Sequence, residues 1–290
     1  MGFVCACLLA IVWGFIWLTI RNAEEAEEKL GLSVMGEIPH LKGMKQKENN
    51  VLIQDNLMFS YVEAWRGSAS ILQHHLQHHT EKYGCKTIAI TSAMPDEGKT
   101  VSTCNMAIAL SQMQKKVLLI DFDIHKKGVE KLISKQKEKG LLEIAYQGVP
   151  LQEVLQSLPN GVDVLYAGMN QNNESPLVSN LILQEIIKDL EQDYDYIFID
   201  TPPVYIVADA LEIVKSMDAV VMVIKQDFVT VKILQQTLAL IEKSGGNVIG
   251  CIVNDIRNYN LGSGYGHKYK YYYAYPKQYN SKAQEGNSGA

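Results

Sequence analysis

From residue 85 onward the chain alternates short, nearly uninterrupted apolar runs with longer stretches in which apolar positions recur every three or four residues. The runs are CKTIAITS (85–92), VLLID (117–121), VDVLYAG (162–168), YIFID (196–200), AVVMVIK (219–225) and NVIGCIVND (247–255). Their length, Val/Ile content and lack of polar alternation predict strands buried on both faces. The intervening periodicity predicts helices over 99–114, 179–192, 208–216 and 231–244. Strands that alternate with helices imply an α/β fold with a mostly parallel sheet flanked by helices. Ligands of such folds bind at the carboxyl ends of the strands. Upstream, Leu57, Met58, Tyr61, Val62, Trp65, Ile71, Leu72 and Leu76 keep roughly helical spacing within 55–83, so an amphipathic helix should pack on the domain.

The two ends depart from this pattern. Residues 3–20, FVCACLLAIVWGFIWLTI, carry no charge, and as a helix would reach roughly 27 Å, enough to cross a bilayer's hydrocarbon core. A transmembrane helix over 1–20 is the expectation. A cleaved secretory leader is the alternative, but no Lys or Arg precedes the run and no small-x-small cleavage site follows it. Arg21 is the only nearby cation and AEEAEEK follows, so flanking charge gives little help with orientation. Residues 21–54 run through an acidic turn of helix, then GLSVMGEIP, then the polar KGMKQKENN, and together read as a juxtamembrane linker, which places the soluble domain at 55–257. Beyond it, 258–290 holds Tyr265, Tyr269, Tyr271, Tyr272, Tyr273, Tyr275 and Tyr279 beside Lys268, Lys270 and Lys277, among glycines and Pro276. Such a segment buries too little aliphatic area to offset its ordering entropy, so a flexible tyrosine-rich tail is expected. A row of phenols suits either modification or docking on a partner.

Composition narrows the classes. At 47% hydrophobic and 20% charged, the 290 residues suit one globular domain with appendages. The net charge of -5 and the lack of a basic stripe outside the tail argue against nucleic acid as a partner. The cysteines at 5, 7, 85, 104 and 251 have no paired metal spacing, and a reducing compartment is the simplest reading. His74, His75, His78 and His79 form two i,i+4 pairs, but no cysteine or carboxylate completes a shell, so they read as a solvated helix face. GSGYG at 262–266 precedes no helix and is not a dinucleotide fingerprint.

The chemistry lies in AMPDEGKT, Ala93 to Thr100, between a strand and a helix as a phosphate-binding loop requires. Pro95, Asp96, Glu97, Gly98, Lys99, Thr100 and Val101 would line the nucleotide. Backbone N–H groups and the helix N-terminus would wrap the phosphates, Gly98 would let the backbone approach, Lys99 would reach the terminal phosphates, and Thr100 could ligate Mg2+. Ala93 stands where the usual pattern has its first glycine. Asp121 and Asp123 in VLLIDFD and Asp200 in YIFIDTPP close two apolar strands. Carboxylates buried there are costly without a cation or water to serve, which makes them candidates for orienting Mg2+ or accepting a proton from an incoming hydroxyl. The HRD and DFG loops of eukaryotic-type kinases are absent.

TSAMPDEGKT, VLLIDFD, YDYIFIDTPPV with Asp209, and the terminal tyrosines together resemble the bacterial tyrosine kinases of capsule and exopolysaccharide synthesis. VMGEIP after the apolar run looks like the cytosolic end of that family's chain-length-determinant membrane module. The resemblance implies a P-loop NTPase fold and ATP-dependent autophosphorylation of the tail tyrosines, with Lys99, Asp121, Asp123 and Asp200 catalytic and Thr100, Asp121, Asp123 and Asp200 serving Mg2+. It also implies a homo-oligomeric ring, a plasma-membrane location with the kinase domain cytoplasmic, a polysaccharide co-polymerase or activator as partner, and an opposing tyrosine phosphatase. Of the family's ring-forming Glu-x-x-Arg-x-x-Arg, Glu63 and Arg66 are present and Ala69 takes the third position. His125 and NNESP (172–176) also depart from the family pattern. The alternatives are a membrane-bound ATPase switch of the partitioning and cell-division type, whose second loop lysine is missing here, and a non-catalytic scaffold for polysaccharide assembly.

Overall fold

The computed structural model describes residues 18–41, 59–79, 84, 86–133, 139–169 and 180–257. The greater part of the apolar run at 3–20, the segment 172–176 and the tyrosine cluster at 265–279 lie outside the described residues. So do the side chains of His78 and His79.

In chain order the elements are α1 (Ala23–Leu30), β1 (Val34–Pro39), α2 (Phe59–His79), β2 (Lys86–Ser92), α3 (Lys99–Gln112), β3 (Val117–Asp121), α4 (Gly128–Ile133), α5 (Leu141–Gln147), α6 (Leu151–Val154), β4 (Gln156–Ser157), β5 (Val162–Leu165), α7 (Asn180–Leu190), β6 (Tyr196–Asp200), α8 (Asp209–Val214), β7 (Ala219–Lys225), α9 (Val231–Ser244) and β8 (Val248–Ile256). One eight-stranded sheet has the order β1-β8-β7-β2-β6-β3-β5-β4. Every pairing is parallel except that of the two-residue β4 with β5.

The pleat sorts the strand residues between two layers. Ile88, Ile90, Val117, Leu119, Phe198, Val221 and Val223 join α2 and α3 in one core. The alternate positions Leu118, Ile120, Ile197, Ile199, Val220 and Met222 are equally buried. Burial on both sides explains why these strands read as continuous apolar runs. Within the first layer Trp65 meets Tyr61 edge-on at 6.0 Å between centroids. The Tyr61 hydroxyl accepts from Asn105 Nδ2 at 3.1 Å, which ties α2 to α3.

Two boundaries differ from the sequence-based expectation. The stretch at 21–54, expected to be a linker, contributes α1 and the sheet's edge strand β1, so the domain begins well before residue 55. Asn22 caps α1 through its side chain, which accepts from the Glu25 N–H, and Gly31 closes it in the left-handed conformation. On β1, Met35 and Ile38 are fully buried. Gly36 faces α2 so closely that a Cβ there would overlap Ser68 Oγ. The end of the expected transmembrane helix also differs. Thr19 pairs with Thr230 as an antiparallel bridge, Ile20 is buried, and Ile20 O accepts from the Asp227 N–H at 3.0 Å. Residues 18–20 are therefore extended chain docked on the domain. Among the described residues no helix is long and apolar enough to cross a membrane.

Candidate nucleotide site

β2 is central, with β7 on one side and β6 on the other. The loop from Ala93 to Gly98 leaves its carboxyl end and runs into α3. Gly98, at φ +94°, supplies the left-handed turn, and its carbonyl accepts from the Ser102 N–H at 2.9 Å to start the helix. An L-residue at that φ is strained, and a Cβ would also collide with Asn254 Nδ2. The α3 N-terminus, with its unpaired N–H groups and positive dipole end, thus opens at the ends of the central strands.

Asp121 and Asp200 are register partners on adjacent β3 and β6, and Asp123 lies two residues beyond. All three are at most 2% exposed, a costly burial for carboxylates unless a cation offsets it. Lys99 reaches in from the first turn of α3. Its Nζ donates to Asp123 Oδ2 at 2.7 Å, lies 3.7 Å from Asp200 Oδ1, and donates to Thr100 Oγ1 at 3.3 Å. Thr103 Oγ1 donates to Asp200 Oδ1 at 3.2 Å, while Asp200 Oδ2 has no protein partner. Asp121 accepts from the backbone N–H groups of Asp123 at 3.2 Å and Val129 at 3.1 Å.

One buried cation faces three buried carboxylates, and the proton affinities reflect that imbalance. Burial alone would lower the pKa of Lys99, but Asp200 and Asp123 outweigh it and hold the ammonium charged. Burial and the Asp200 charge push Asp121 well above the usual carboxylate range. Burial also raises Asp200, against the pull of Lys99.

The residues fit a phosphate-bound divalent cation. The surplus negative charge, the unpartnered Asp200 Oδ2 and the Thr100 hydroxyl together offer hard oxygen donors. Gly128 keeps the space beside Thr100 open, since a Cβ there would approach Thr100 Oγ1 to 2.9 Å. The three carboxylates do not by themselves form a cage: among the described residues no three His, Cys, Asp or Glu side chains are placed to hold a metal. Magnesium does not require one, because it keeps several waters and commonly takes one or two protein ligands plus phosphate oxygens.

Glu97 is fully buried inside the loop. Its Oε1 accepts from the Met94 N–H at 2.7 Å and its Oε2 from the Lys225 N–H at 3.3 Å. Its carbonyl accepts from Asn254 Nδ2 at 3.0 Å. Burial pushes its pKa up to about 7 despite these bonds. Asp96, by contrast, is exposed and makes only a 3.5 Å surface pair with Lys126. Thr103, Gly128, Lys225 and Asn254 belong to the site although no motif in the sequence marks them. The strand-end positions of Lys225 and Asn254 were the available clue.

Glu63 and Arg66 lie outside this site. They pair with each other on α2 at 2.8 Å, and Arg66 also reaches Gln112 Oε1 at 3.4 Å. Ala69, at the third position of the expected oligomerisation motif, is wholly buried in the α2 core and does not face solvent.

A family model described as an AAA domain matches residues 85–248. The putative tyrosine-protein kinase EpsB of Ralstonia solanacearum is 26% identical over 300 residues, covering 99% of this chain and 40% of that protein. The tyrosine-protein kinase etk of Escherichia coli K12 is 27% identical over 278 residues, covering 88% of this chain and 38% of that protein. The chain therefore spans about two fifths of the length of these curated relatives. Among solved structures, the kinase domain of Escherichia coli tyrosine kinase ETK superposes with a TM-score of 0.72 at 28% identity, covering 85% of this chain and 97% of that domain.

Proposed function

This chain belongs to the AAA domain family, and we propose that it is an ATP-dependent protein-tyrosine kinase that phosphorylates its own C-terminal tyrosines. The observation that carries the proposal is the burial of Lys99 against Asp123 and Asp200 directly behind the phosphate loop. That loop stands on a fold similar to the kinase domain of a bacterial tyrosine kinase.

The loop from Pro95 to Val101 would bind the phosphates through backbone N–H groups and the α3 N-terminus. Thr100, with Asp200 and the Asp121/Asp123 pair behind it, would hold Mg2+, which when bound supplies positive charge to the phosphate oxygens. Lys99 exchanges one anion for another. Its charge is maintained by Asp123 and Asp200, and a phosphate would offer a competing partner. Departure of Lys99 would leave Asp123 free to accept the proton of an incoming phenol, while Asp121 keeps a high proton affinity because it is buried beside Asp200. Loop, cation and base thus meet at the ends of β2, β3 and β6, and the work left to the protein is placement and charge stabilisation.

The acceptors proposed are Tyr265, Tyr269, Tyr271, Tyr272, Tyr273, Tyr275 and Tyr279. Each phosphate would add about -1.5 to -2 charge to a segment that begins with net positive charge. Membrane attachment through the N-terminal apolar run, a cytoplasmic kinase domain, a homo-oligomer in which one copy's tail reaches another copy's site, a polysaccharide co-polymerase and a phosphatase complete the proposal. The test is phosphotyrosine mapping by mass spectrometry after incubation with Mg-ATP, with Lys99→Met alongside. Phosphate on the tail tyrosines that disappears in the variant is the expected result. ATP hydrolysis without tail phosphate would replace the proposal with an ATPase switch, and neither activity would replace it with a scaffold.

A further inference from the structure

We propose that Glu97 is a positioning residue for nucleotide binding: with Asn254 it brackets the phosphate loop against the ends of β7 and β8 and so holds the loop's amides in their phosphate-accepting arrangement. This deepens, and rests on, the nucleotide-binding role proposed above.

The argument begins with where the loop's hydrogen bonds go. A phosphate loop works by presenting several backbone N–H groups to one anion, an arrangement whose donors repel one another when the site is empty. In this chain the Glu97 side chain turns back into its own loop and accepts from the Met94 N–H at 2.7 Å. With its second oxygen it accepts from the Lys225 N–H at the end of β7. Its carbonyl takes the Asn254 amide from β8, and that amide occupies the space beside Gly98 that a Cβ would need. The loop is therefore fixed on its β7/β8 side by Glu97 and Asn254, and on its β3/β6 side by Lys99 through Asp123 and Asp200. Glu97 is a fully buried carboxylate in a loop whose Asp96 is exposed. It touches no core side chain through a hydrogen bond, and both its oxygens serve backbone donors.

Two opposite effects on affinity follow from a carboxylate here. It organises the loop, which favours phosphate, and when ionised it adds negative charge near a polyanion, which disfavours phosphate. The bracket geometry gives the first effect the larger weight: without the side chain, the Met94 N–H and Lys225 N–H both lose their partner, and binding must then reorder the loop itself. Glutamine separates the two effects. Glu97→Gln removes the charge and keeps one oxygen for Met94 while turning an NH2 group toward the Lys225 N–H, a donor facing a donor.

The experiment is calorimetric titration of the 290-residue chain with Mg-ADP, set beside thermal melting of the same samples. Glu97→Gln is expected to weaken binding about threefold to fivefold, and Glu97→Ala at least tenfold. Asn254→Ala, which removes the other arm, is expected to weaken it in the same direction with a melting temperature within a few degrees of the parent. In turnover assays the loss should appear in KM for ATP, with kcat at saturation within about twofold. Tighter binding by Glu97→Gln would show that charge outweighs shape and would overturn the proposal. So would unchanged affinity in both the Glu97→Gln and Asn254→Ala chains. If Glu97→Ala does not fold, those two variants decide the question. A parent chain that binds no nucleotide would overturn the proposed function itself, and this outcome is distinguishable because it needs no variant.

Discussion

Replacing Asp200 with asparagine should stabilise the nucleotide-free protein while removing the proposed kinase activity. Asp200 is fully buried, carries one oxygen without a protein partner, and faces Asp121 across the β3–β6 register. The favourable term is attraction to Lys99 Nζ at 3.7 Å, worth about 4.5 kcal/mol at an effective dielectric constant of about 20. Against it stand the several kcal/mol required to desolvate a carboxylate and the repulsion from Asp121 and Asp123. The raised pKa of Asp200 shows that the opposing terms win and that its charge is held at a cost. Asparagine keeps the oxygen that accepts from Thr103 Oγ1 and removes the charge, but adds an NH2 group whose burial costs about 1 kcal/mol. The balance favours the variant, and every kcal/mol of it would raise the melting temperature by about 2–4 °C in a domain of this size. The assay is thermal melting with chelator and no nucleotide, repeated with Mg-ATP. Asp200→Asn should melt higher than the parent in the first condition, gain less from Mg-ATP in the second, and form no phosphotyrosine. A melting temperature more than 2 °C below the parent in chelator would show that Asp200 is a net structural asset, and the charge-imbalance argument would fail.

Other outcomes follow from packing and linkage. A chain begun at residue 55 loses β1 and the buried side chains of Ile20, Met35 and Ile38. At about 1.5–3 kcal/mol each, this approaches the whole stability of a domain, so it should be recovered as aggregate, whereas one begun at 18 should be soluble and monodisperse by size-exclusion chromatography. Gly36→Ala should cost about 1–3 kcal/mol in urea denaturation through overlap with Ser68. Adding Ser68→Gly should return part of that loss beyond additivity, and strict additivity would refute the contact. The Glu97 carboxyl titrates near 4.5 when free and near 7 in the fold, so the folded state binds the extra proton between those values and stability falls as pH rises through that window, levelling above it. Glu97→Gln removes this fall, and its stability relative to the parent should rise by about 3 kcal/mol from pH 4.5 to pH 8. Parallel urea-denaturation curves would contradict the shift.

The sequence announced the central strands and the phosphate loop because β2, β3, β6 and β7 are buried on both faces, leaving short Val/Ile-rich runs with few polar interruptions. VMGEIP is different. Its Gly36, Glu37 and Pro39 break the apolar run, and edge strands can accept such residues because one side needs no partner. Its partner β8 lies at the far end of the chain, so no local pattern records the pairing. The short elements α4, α5, α6 and β4 escaped because a turn or two of helix leaves no periodicity to count. Within the site, Lys99, Asp121, Asp123 and Asp200 were legible by type and position. The pairing of Lys99 with Asp123 was not, nor was the bracket at Glu97, because both depend on which strands become neighbours. Ala69 could be identified as a departure from a motif, but only packing shows that it points into the core.

The edge pairing of β1 with β8 also sets an order of events during synthesis. Val34 leaves the ribosome long before Cys251, its register partner, and at about 5–20 residues per second the interval is on the order of tens of seconds. For that time the first strand has no place in the sheet, and such a distant contact is entropically slow to close. The last strand, completing the sheet, then locks residues 18–39 against a body that did not exist when they were translated.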